Sequence, residues 1–320
     1  MRAPDFWIRG GLLAWLLSPA GMVWARLAER RQRLGNPQPA EVPVICVGNL
    51  IAGGAGKTPV ALSIAHRIED SHFLSTGYGG YEAGPLRVDP MRHSFHRVGD
   101  EPLLLSGVAP CWVAKDRLAG AHAAAKDGAK CIIMDDGYQD PSLRKDVSLV
   151  VVDGHIGFGN GRCMPAGPLR ETIEAGLRRA TAIVMLGEDK TKALSRNPGL
   201  PVLRAKLGYE AEAPALAGQR VIAFAGIGRP NKFFHALKTL GANVVEAYAF
   251  ADHHPYHPQE IGELTEKAEE LGAALITTAK DIVRVPAHMR DVIGVLRMVV
   301  TWDDEDALLR LLSHATQGLR

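Results

Sequence analysis

The sequence is poor in cysteine and has almost no excess of charge of either sign. Its 320 residues include 4 cysteines, and no two of them form a Cys-x-x-Cys pair. A disulfide framework or a zinc site is therefore not expected, and a reducing compartment is. Lysine and arginine number 37 against 35 aspartates and glutamates, and no basic tract carries interleaved aromatic residues. Nucleic acid is therefore not an expected partner.

The sequence also lacks an apolar run of the roughly 20 residues that a membrane-spanning helix needs. An uncharged stretch near the N-terminus covers only the 16 residues 10–25 and contains Pro19. Neither a short repeat nor a low-complexity tract is present. The composition, 47% hydrophobic and 22% charged over 320 residues, is typical of a globular protein with two domains.

Short apolar runs alternate with helical stretches in the first two thirds of the chain. Buried strands are predicted at residues 44–47, 73–75, 111–113, 131–134, 149–152 and 182–185, and helices at 59–68 and 117–125. Continuous apolar strands between helices are typical of a parallel sheet that is covered on both faces. This alternation predicts an α/β fold.

A glycine-rich loop joins the first predicted strand to the first predicted helix. Its residues are Gly53, Gly54, Ala55, Gly56, Lys57 and Thr58. Backbone N–H groups and the helix dipole would favour phosphate oxygens there, Lys57 would reach the β- and γ-phosphates, and the Thr58 hydroxyl would ligate Mg²⁺. The strict P-loop pattern has glycine where Ile51 stands, so a tight turn with a chance Gly-Lys-Thr is the alternative. The flanking strand and helix favour phosphate binding.

Two adjacent aspartates, Asp135 and Asp136, close another predicted strand. A carboxylate at a strand end of a P-loop fold holds the magnesium shell, although adjacent aspartates are also ordinary strand-end caps. Because this strand is predicted to lie in the same sheet as the glycine-rich loop, both aspartates and Thr58 are the predicted metal ligands. ATP and Mg²⁺ are the predicted cofactors.

Asp100 and His253 are the candidates for proton transfer. A hydroxyl that attacks a γ-phosphate needs positioning more than full deprotonation, so an aspartate tuned by a histidine suffices. The alternatives are a helix-capping aspartate and a surface histidine pair, and the spacing alone favours those. No cysteine or histidine set accompanies His253 and His254, so a histidine metal site is rejected.

A long loop rich in glycine and proline follows the predicted strand at 149–152. It contains Asn160, Arg162 and Arg170. Long irregular loops at strand carboxyl ends commonly bind ligands in α/β sheets. These three residues are the predicted substrate-binding residues, and solvated arginines are the alternative.

The chain changes character near residues 205–219, where an alanine- and proline-rich stretch begins. The alternation then restarts, with strands predicted at 221–225, 244–247, 274–277 and near 292–300, and helices at 231–240, 258–271 and 303–313. This part has no phosphate loop. We predict a P-loop NTPase-type parallel sheet domain over 36–210 and a second, smaller α/β domain over 211–320.

The first 35 residues hold three of the five tryptophans, flanked by arginines. A secretory signal peptide, a buried core helix and an amphipathic segment in the membrane interface are the three interpretations. The need of the following domain for cytosolic ATP weighs against a signal peptide. Tryptophan at headgroup depth and arginine on anionic lipid favour the interface. Residues 1–35 are therefore predicted to form an amphipathic membrane-associated helix.

Taken together, the order and spacing of these motifs resemble one known family. The motifs are Val47-Gly48-Asn49-Leu50, the loop through Pro59, Gly77-Tyr78-Gly79, Gly99-Asp100-Glu101-Pro102, Asp135-Asp136-Gly137-Tyr138-Gln139, Phe158-Gly159-Asn160-Gly161, Pro165-Ala166-Gly167-Pro168-Leu169-Arg170-Glu171, Ala225-Gly226-Ile227-Gly228, Asp252-His253 and Lys280-Asp281. Over nearly its whole length the chain resembles the tetraacyldisaccharide 4′-kinases, the lipid A 4′-kinases of Gram-negative bacteria.

The resemblance implies ATP- and Mg²⁺-dependent phosphorylation of the 4′-hydroxyl of a tetraacylated glucosamine disaccharide 1-phosphate. It also implies work at the cytoplasmic face of the inner membrane through an N-terminal membrane-associated helix. In the family the aspartate that matches Asp100 acts as base, paired with the histidine that matches His253. The family's loop also lacks the strict first glycine. We expect the site in a cleft between two domains, a monomer, and as partners the lipid-linked disaccharide and the membrane surface.

Three positions depart from the family pattern. Thr76 stands where the family usually has arginine, Asp140 where it has histidine and Ala279 where it has glutamate. These three residues receive no site role. A P-loop GTPase or metallochaperone-type ATPase is a rival reading, but the first domain has no Asn-Lys-x-Asp motif for base recognition. The departures leave open a membrane scaffold that has lost catalysis.

Overall fold

A computed structural model describes residues 4–210 and 216–316 of the chain. The strands are β1 (Val44–Gly48), β2 (Ser71–Ser75), β3 (Leu86–Arg87), β4 (Cys111–Val113), β5 (Cys131–Asp135), β6 (Val147–Asp153), β7 (Ala182–Leu186), β8 (Val202–Glu210), β9 (Arg220–Ala225), β10 (Asn243–Ala249), β11 (Ala274–Thr278) and β12 (Ile293–Trp302). The helices are α1 (Phe6–Arg9), α2 (Leu12–Leu16), α3 (Ser18–Leu34), α4 (Lys57–Ala65), α5 (Phe95–Val98), α6 (Asp100–Ser106), α7 (Arg117–Lys126), α8 (Ile173–Leu177), α9 (Pro230–Thr239), α10 (Pro258–Glu270), α11 (Ala279–Ile282) and α12 (Glu305–Thr316).

These strands form one large, mostly parallel sheet, in the order β10-β9-β11-β12-β8-β7-β6-β1-β5-β2-β4-β3. Among the described strands, the β12–β8 and β3–β4 pairs are antiparallel and the others are parallel. The predicted α/β class with a parallel sheet is confirmed.

Helices cover both faces of the first half of the sheet. Every residue of β1, β2, β5 and β7 is buried, as expected of strands that have neighbours on both faces. One face packs against Val60 and Ile64 of α4. The opposite face packs against Ala121 of α7 and Leu177 of α8. The continuous apolar runs in the sequence therefore reflect burial on two sides.

Strand β8 is the longest strand that the sequence analysis did not predict. Residues 205–219 were expected to be a boundary, yet β8 extends from Val202 to Glu210 and pairs with β12. Leu203 and Ala205 are buried, whereas the arginine and lysine that follow them are exposed. Such alternation breaks the continuous apolar run that identified the other strands. The remainder of the predicted boundary includes residues 211–215, which lie outside the described residues.

The end of the chain returns to the first half of the sheet. Val300 and Trp302 of β12 and Leu308 of α12 lie in the same buried cluster as Val60 of α4. The Trp302 indole Nε1 also donates to the Ser63 hydroxyl at 2.9 Å. The helix that follows the glycine-rich loop is therefore packed against residues near the C-terminus.

The first 34 residues form α1, α2 and α3 in the part that the structure describes. Their large apolar side chains are mostly solvent-exposed: Ile8, Leu12, Leu13, Trp15, Leu16, Met22, Val23, Trp24 and Leu27 each have at least 44% of their surface free. This exposure excludes the buried core helix. Among the described residues, no helix combines the length and the apolar character needed to cross a membrane.

Candidate active site

The glycine-rich loop occupies the carboxyl edge of the sheet, between the end of β1 and the start of α4. Gly53 and Gly56 have positive φ angles, 120° and 85°, which residues with a side chain rarely adopt. A Cβ on Gly56 would also lie 2.5 Å from Cδ1 of Leu186. The positive φ therefore favours glycine at position 56, directly before the helix.

The Lys57 side chain lies across this loop and is nearly buried. Its Nζ donates to Oδ1 of Asn49 at 3.4 Å and lies 3.6 Å from Oδ1 of Asp136. Asn49 is fully buried and donates in turn to the carbonyl oxygen of Gly53 at 3.4 Å. Asn49 therefore forms hydrogen bonds with both the loop backbone and Lys57. The sequence offered Asn49 only as part of a motif, without a role.

Asp135 reaches the loop because β1 and β5 are neighbours, with Val47 in register with Asp135. The Thr58 hydroxyl donates to Oδ2 of Asp135 at 2.8 Å. Within the described part of the chain, Oδ1 of Asp135 is buried and has no hydrogen-bond partner. Burial, followed by the charge of Glu101, raises the pKa of Asp135 to about 7. An unsatisfied buried carboxylate oxygen beside a hydroxyl fits the oxygen ligands that Mg²⁺ prefers.

Asp136 lies in a different setting, although it is the next residue. Its φ is 58°, and its two oxygens face Nη1 and Nη2 of Arg170 at 3.2 and 3.3 Å. Burial favours a higher pKa, but Lys57 and Arg170 outweigh it and hold the pKa of Asp136 below its ordinary value. Of the predicted metal ligands, Asp135 has the open oxygen. The role of Asp136 stays a prediction.

Asp100 and His253 come from distant parts of the chain and meet at this edge. Asp100 begins α6 and is buried, whereas 52% of the His253 side chain is exposed. The Nδ1 of His253 lies 2.8 Å from Oδ2 of Asp100. Burial would raise the pKa of Asp100, but the hydrogen bond and charge of His253 outweigh it and lower that pKa. The same hydrogen bond raises the pKa of His253. Each residue therefore stabilises the charged form of the other.

A second ion pair lies beside this one. Lys280 of α11 donates from Nζ to Oε1 of Glu101, the residue after Asp100, at 3.0 Å. In the sequence, Lys280 was recognised only as half of a motif, and Glu101 had no assigned role. The spacing contained no sign that the two side chains would meet.

Asn160 and Arg162 bind the N-terminal helices in this structure. The Asn160 side-chain amide donates to the carbonyl oxygens of Phe6 and Ala166, each at 2.9 Å. Arg162 contacts the hydroxyl of Ser18. Their predicted contact with substrate stays a prediction, and Arg170, on Asp136, is the one of the three that lies at the nucleotide loop.

The three positions that depart from the family pattern have separate surroundings. The Thr76 residue is exposed after β2, and Ala279 is the first residue of α11. Asp140 accepts from the backbone N–H of Ser142 at 2.7 Å. The contact of Asp140 with Ser142 involves neither Asp100, His253 nor Lys57.

Comparison with known proteins identifies the family. Residues 13–317 match the tetraacyldisaccharide-1-P 4′-kinase family. The chain belongs to this family. Among curated members, the tetraacyldisaccharide 4′-kinase of Rhodospirillum centenum is 51% identical, covering 99% of this chain and 98% of that protein. The one of Rhodospirillum rubrum is 49% identical over 99% of both. The predicted membership in the tetraacyldisaccharide 4′-kinases, and hence in the kinases, is confirmed.

A solved member of the family shares the fold. The crystal structure of LpxK from Aquifex aeolicus, in complex with ATP, superposes with a TM-score of 0.80. It is 27% identical, and the match covers 95% of this chain and 100% of that one. Membership in a tetraacyldisaccharide 4′-kinase family makes a partner-directed GTPase or metallochaperone an unsuitable description of this chain.

Proposed function

We propose that this kinase transfers the γ-phosphoryl group of ATP to the 4′-hydroxyl of tetraacyldisaccharide 1-phosphate, which yields lipid IVA in lipid A biosynthesis. The observation that carries the proposal is the 2.8 Å contact between His253 and Asp100 at the edge that also holds the glycine-rich loop. A hydroxyl acceptor needs a group that orients it and takes its proton, and this pair is suited to that task. The identity of the acceptor is inferred from the name of the family and of its curated members.

The nucleotide end of the site consists of the loop and Lys57. Backbone N–H groups from Gly53 to Thr58, at the start of α4, suit the phosphate oxygens of ATP. Lys57 lies within reach of Asn49 and Asp136 and would move onto the β- and γ-phosphates when these are bound. Its positive charge would stabilise the negative charge of the transferring phosphoryl group.

Mg²⁺ would be held by Asp135 and Thr58, with Asp136 as the further predicted ligand. The unpartnered Oδ1 of Asp135 and the Thr58 hydroxyl are the oxygen donors that fit it best. The ion, when bound, supplies charge neutralisation at the β- and γ-phosphates.

Asp100 is the proposed base. As the acceptor oxygen forms its bond to phosphorus and the bond to the departing ADP oxygen breaks, the hydroxyl proton would pass to the Asp100 carboxylate. The transition state of phosphoryl transfer is loose, so a carboxylate with a low pKa is basic enough. His253 would hold the carboxylate in place and balance its charge through the Nδ1 contact.

The exposed apolar surface of α1 to α3 would lie in the membrane interface. Leucine side chains on these helices suit the acyl region, tryptophan side chains suit headgroup depth, and nearby arginines suit anionic headgroups. We place the protein, as a peripheral monomer, at the cytoplasmic face of the inner membrane of a Gram-negative bacterium. The disaccharide headgroup would then reach the site while its acyl chains stay in lipid. The proposed working unit remains a P-loop domain over 36–210 with a second domain over 211–320 and a cleft between them.

The test is transfer of label from radiolabelled ATP to the lipid disaccharide 1-phosphate in the presence of Mg²⁺. We expect labelled lipid, a loss of at least about 100-fold for Lys57→Ala, and a fall in kcat of at least about 100-fold for Asp100→Ala with little change in ATP affinity. The matched control is Lys190→Ala, because Lys190 is an exposed lysine in the loop after β7. An unlabelled lipid would contradict the proposal. Absence of both transfer and nucleotide binding would support a scaffold that has lost catalysis.

A further inference from the structure

A fully buried aspartate, Asp281, lies behind the turn that carries His253. Its side chain has no exposed surface. Oδ1 accepts from the backbone N–H of Gly226 at 2.8 Å, the hydroxyl of Tyr256 at 2.8 Å and Nη2 of Arg284 at 2.6 Å. Oδ2 accepts from the Thr278 hydroxyl. The Asp281 carboxylate thus accepts four hydrogen bonds. The donors are a backbone N–H, two hydroxyl groups and a buried guanidinium.

The peptide group of Gly226 connects this carboxylate to the catalytic turn. While its N–H is held by Asp281, its carbonyl oxygen accepts from the backbone N–H of His253 at 3.0 Å. The same carbonyl accepts from Nη2 of Arg284 at 3.0 Å. A Cβ on Gly226 would lie 2.8 Å from the carbonyl oxygen of Ala251, so the turn is pressed against this glycine.

The turn needs such support because His253 has an unfavourable backbone conformation. Its φ is 59°, in the left-handed region that residues with a side chain rarely occupy. A conformation of this kind persists only where surrounding contacts hold it. The described contact from the backbone N–H of His253 goes to Gly226, whose two polar groups are fixed by Asp281 and Arg284.

We infer that Asp281, together with Arg284, is a positioning residue that fixes the Gly226 peptide and so holds His253 against Asp100. Neither residue touches the reacting atoms. Lys280, the residue before Asp281, binds Glu101, the residue after Asp100. Helix α11 therefore supports the ion pairs of both residues at the start of α6. It contacts Glu101 directly through Lys280, and it supports the Asp100–His253 pair through the Gly226 turn. The inference rests on the proposed function only in that the Asp100–His253 pair serves phosphoryl transfer.

The titration of His253 reports on this positioning without any need for turnover. The charged groups that face it are Asp100 from α6, Asp252 in its own turn and Arg284 from beside α11; the carboxylates raise its pKa and Arg284 lowers it. Lys280 acts on the partner, Asp100. If the turn relaxes, the contact with Asp100 lengthens and the pKa of His253 falls toward its ordinary value of 6.5.

The experiment combines steady-state kinetics with an NMR titration of the labelled histidines in the full-length protein, where His253→Gln identifies the His253 signal. Asp281→Asn keeps the size of the side chain, removes the negative charge that pairs with Arg284 and replaces one of the two acceptor oxygens with an amide donor. We expect the pKa of His253 to fall, kcat to fall between about 10- and 100-fold, and KM for ATP to change less than about twofold. Tyr256→Phe removes one donor from Asp281 and is expected to produce a smaller change in the same direction.

The control is Thr277→Val. Thr277 is fully buried on β11 and donates to the carbonyl oxygen of Phe224 at 2.7 Å, with no described link to Gly226 or His253. Its loss is expected to lower Tm and to leave the His253 titration and kcat unchanged. An unchanged His253 titration in folded Asp281→Asn would overturn the inference, as would an equal shift in Thr277→Val. If Asp281→Asn does not fold, unchanged values in Tyr256→Phe overturn it. Failure of lipid phosphorylation alone would reject the proposed acceptor and leave the titration result standing.

Discussion

The two aspartates at the end of β5 differ because their neighbours differ. Asp135 is buried beside Thr58, and its pKa is raised to about 7 by burial and by the charge of Glu101. Asp136 faces the guanidinium of Arg170, and its pKa is lowered. A desolvated carboxylate with an open oxygen gains most from a divalent cation. Asp135 is therefore the aspartate whose loss is expected to matter most for Mg²⁺.

Replacement of Asp135 tests this assignment. Asp135→Asn is expected to raise the Mg²⁺ concentration needed for half-maximal transfer and to lower the maximal rate by about 100-fold, because a charged ligand to the metal is lost. The measurement is the transfer rate as a function of Mg²⁺ at saturating ATP. Asp153→Asn is the matched control, since Asp153 ends β6, the next strand along the chain, and its Oδ1 accepts from the backbone N–H of His155. An unaltered Mg²⁺ dependence in Asp135→Asn would remove Asp135 from the metal site.

The charged pair of Asp100 and His253 predicts a pH dependence of stability. The pKa of Asp100 is lowered from 3.8, so its contribution is present above pH 3.8 and is lost as pH falls through the lower folded-state pKa. The pKa of His253 is raised from 6.5, so its contribution is present below pH 6.5 and is lost as pH rises through the higher folded-state pKa. The stabilisation is therefore greatest between these two pH values.

The difference in Tm between the protein and its His253→Gln variant measures this stabilisation. We expect it to be largest between pH 3.8 and 6.5 and to shrink on either side. Because about half of the His253 side chain is exposed, solvent screening keeps the difference small. A His122→Gln variant, which removes an exposed histidine paired with Glu41, serves as the control. A Tm difference that stays constant across this range would contradict a charged pair.

The N-terminal helices join the proposed membrane surface to the site. The Trp7 indole donates to the carbonyl oxygen of Pro165, and the Trp24 indole donates to that of Arg170, at 3.0 and 2.9 Å. Arg170 in turn binds Asp136. The loop after β6 therefore has the exposed helices on one side and the nucleotide loop on the other. Asn160 and Arg162 belong to the helix side of this arrangement.

Charged substitutions on the exposed face of α2 test the membrane prediction. Leu12→Glu with Leu16→Glu is expected to weaken binding to vesicles that contain anionic lipid by at least about tenfold, since two apolar side chains would no longer enter the interface. Both leucines are more than half exposed, so Tm should change little. Cosedimentation with vesicles is the measurement. Met91→Glu, at a residue that is 85% exposed elsewhere, is the control. Equal binding by all variants would speak against the interfacial role of α2.

The two α/β halves of the protein share one sheet. Strand β8 ends the first half, and β12 pairs with it through six residues, from Arg297 opposite Glu210 to Trp302 opposite Ala205. Leu308 and Leu312 of α12 then lie in the cluster that contains Val60 of α4. The helix behind the nucleotide loop is thus supported by the last part of the chain. The division into two domains at residue 210 stays a prediction. This packing makes the stability of each half depend on the other.

A chain that ends at residue 210 tests that dependence. We expect it to unfold at a Tm more than about 10 °C lower or to aggregate, because β8 would become an uncovered edge and the apolar face of α4 would be exposed. Thermal unfolding and light scattering are the measurements. Coexpression with residues 216–320 is expected to restore a soluble complex. A stable, nucleotide-binding chain of residues 1–210 would show that the first half folds independently.

Several local parts of this protein can be predicted from neighbouring residues alone. The strand, glycine-rich loop and helix around Lys57, the strand that ends in Asp135 and the apolar N-terminal segment each depend on residues close together in the chain. Glycine at position 56 is favoured by a positive φ. The buried strands are recognised by their continuous apolar runs. Such features are visible in a linear sequence because their causes are backbone geometry and side-chain polarity within a few residues.

Which of these parts meet depends on the three-dimensional packing of the chain. Asp100 and His253 are separated by 153 residues, and Arg170 by 34 from Asp136. Asn160 donates a hydrogen bond to the carbonyl oxygen of Phe6, and Asp281 accepts one from the backbone N–H of Gly226. The Asp100–His253 contact spans the two halves of the chain, which form one sheet through the order of the strands and the antiparallel pairing of β8 with β12. No local pattern encodes that order, because it results from the simultaneous burial of all the apolar faces in one sheet.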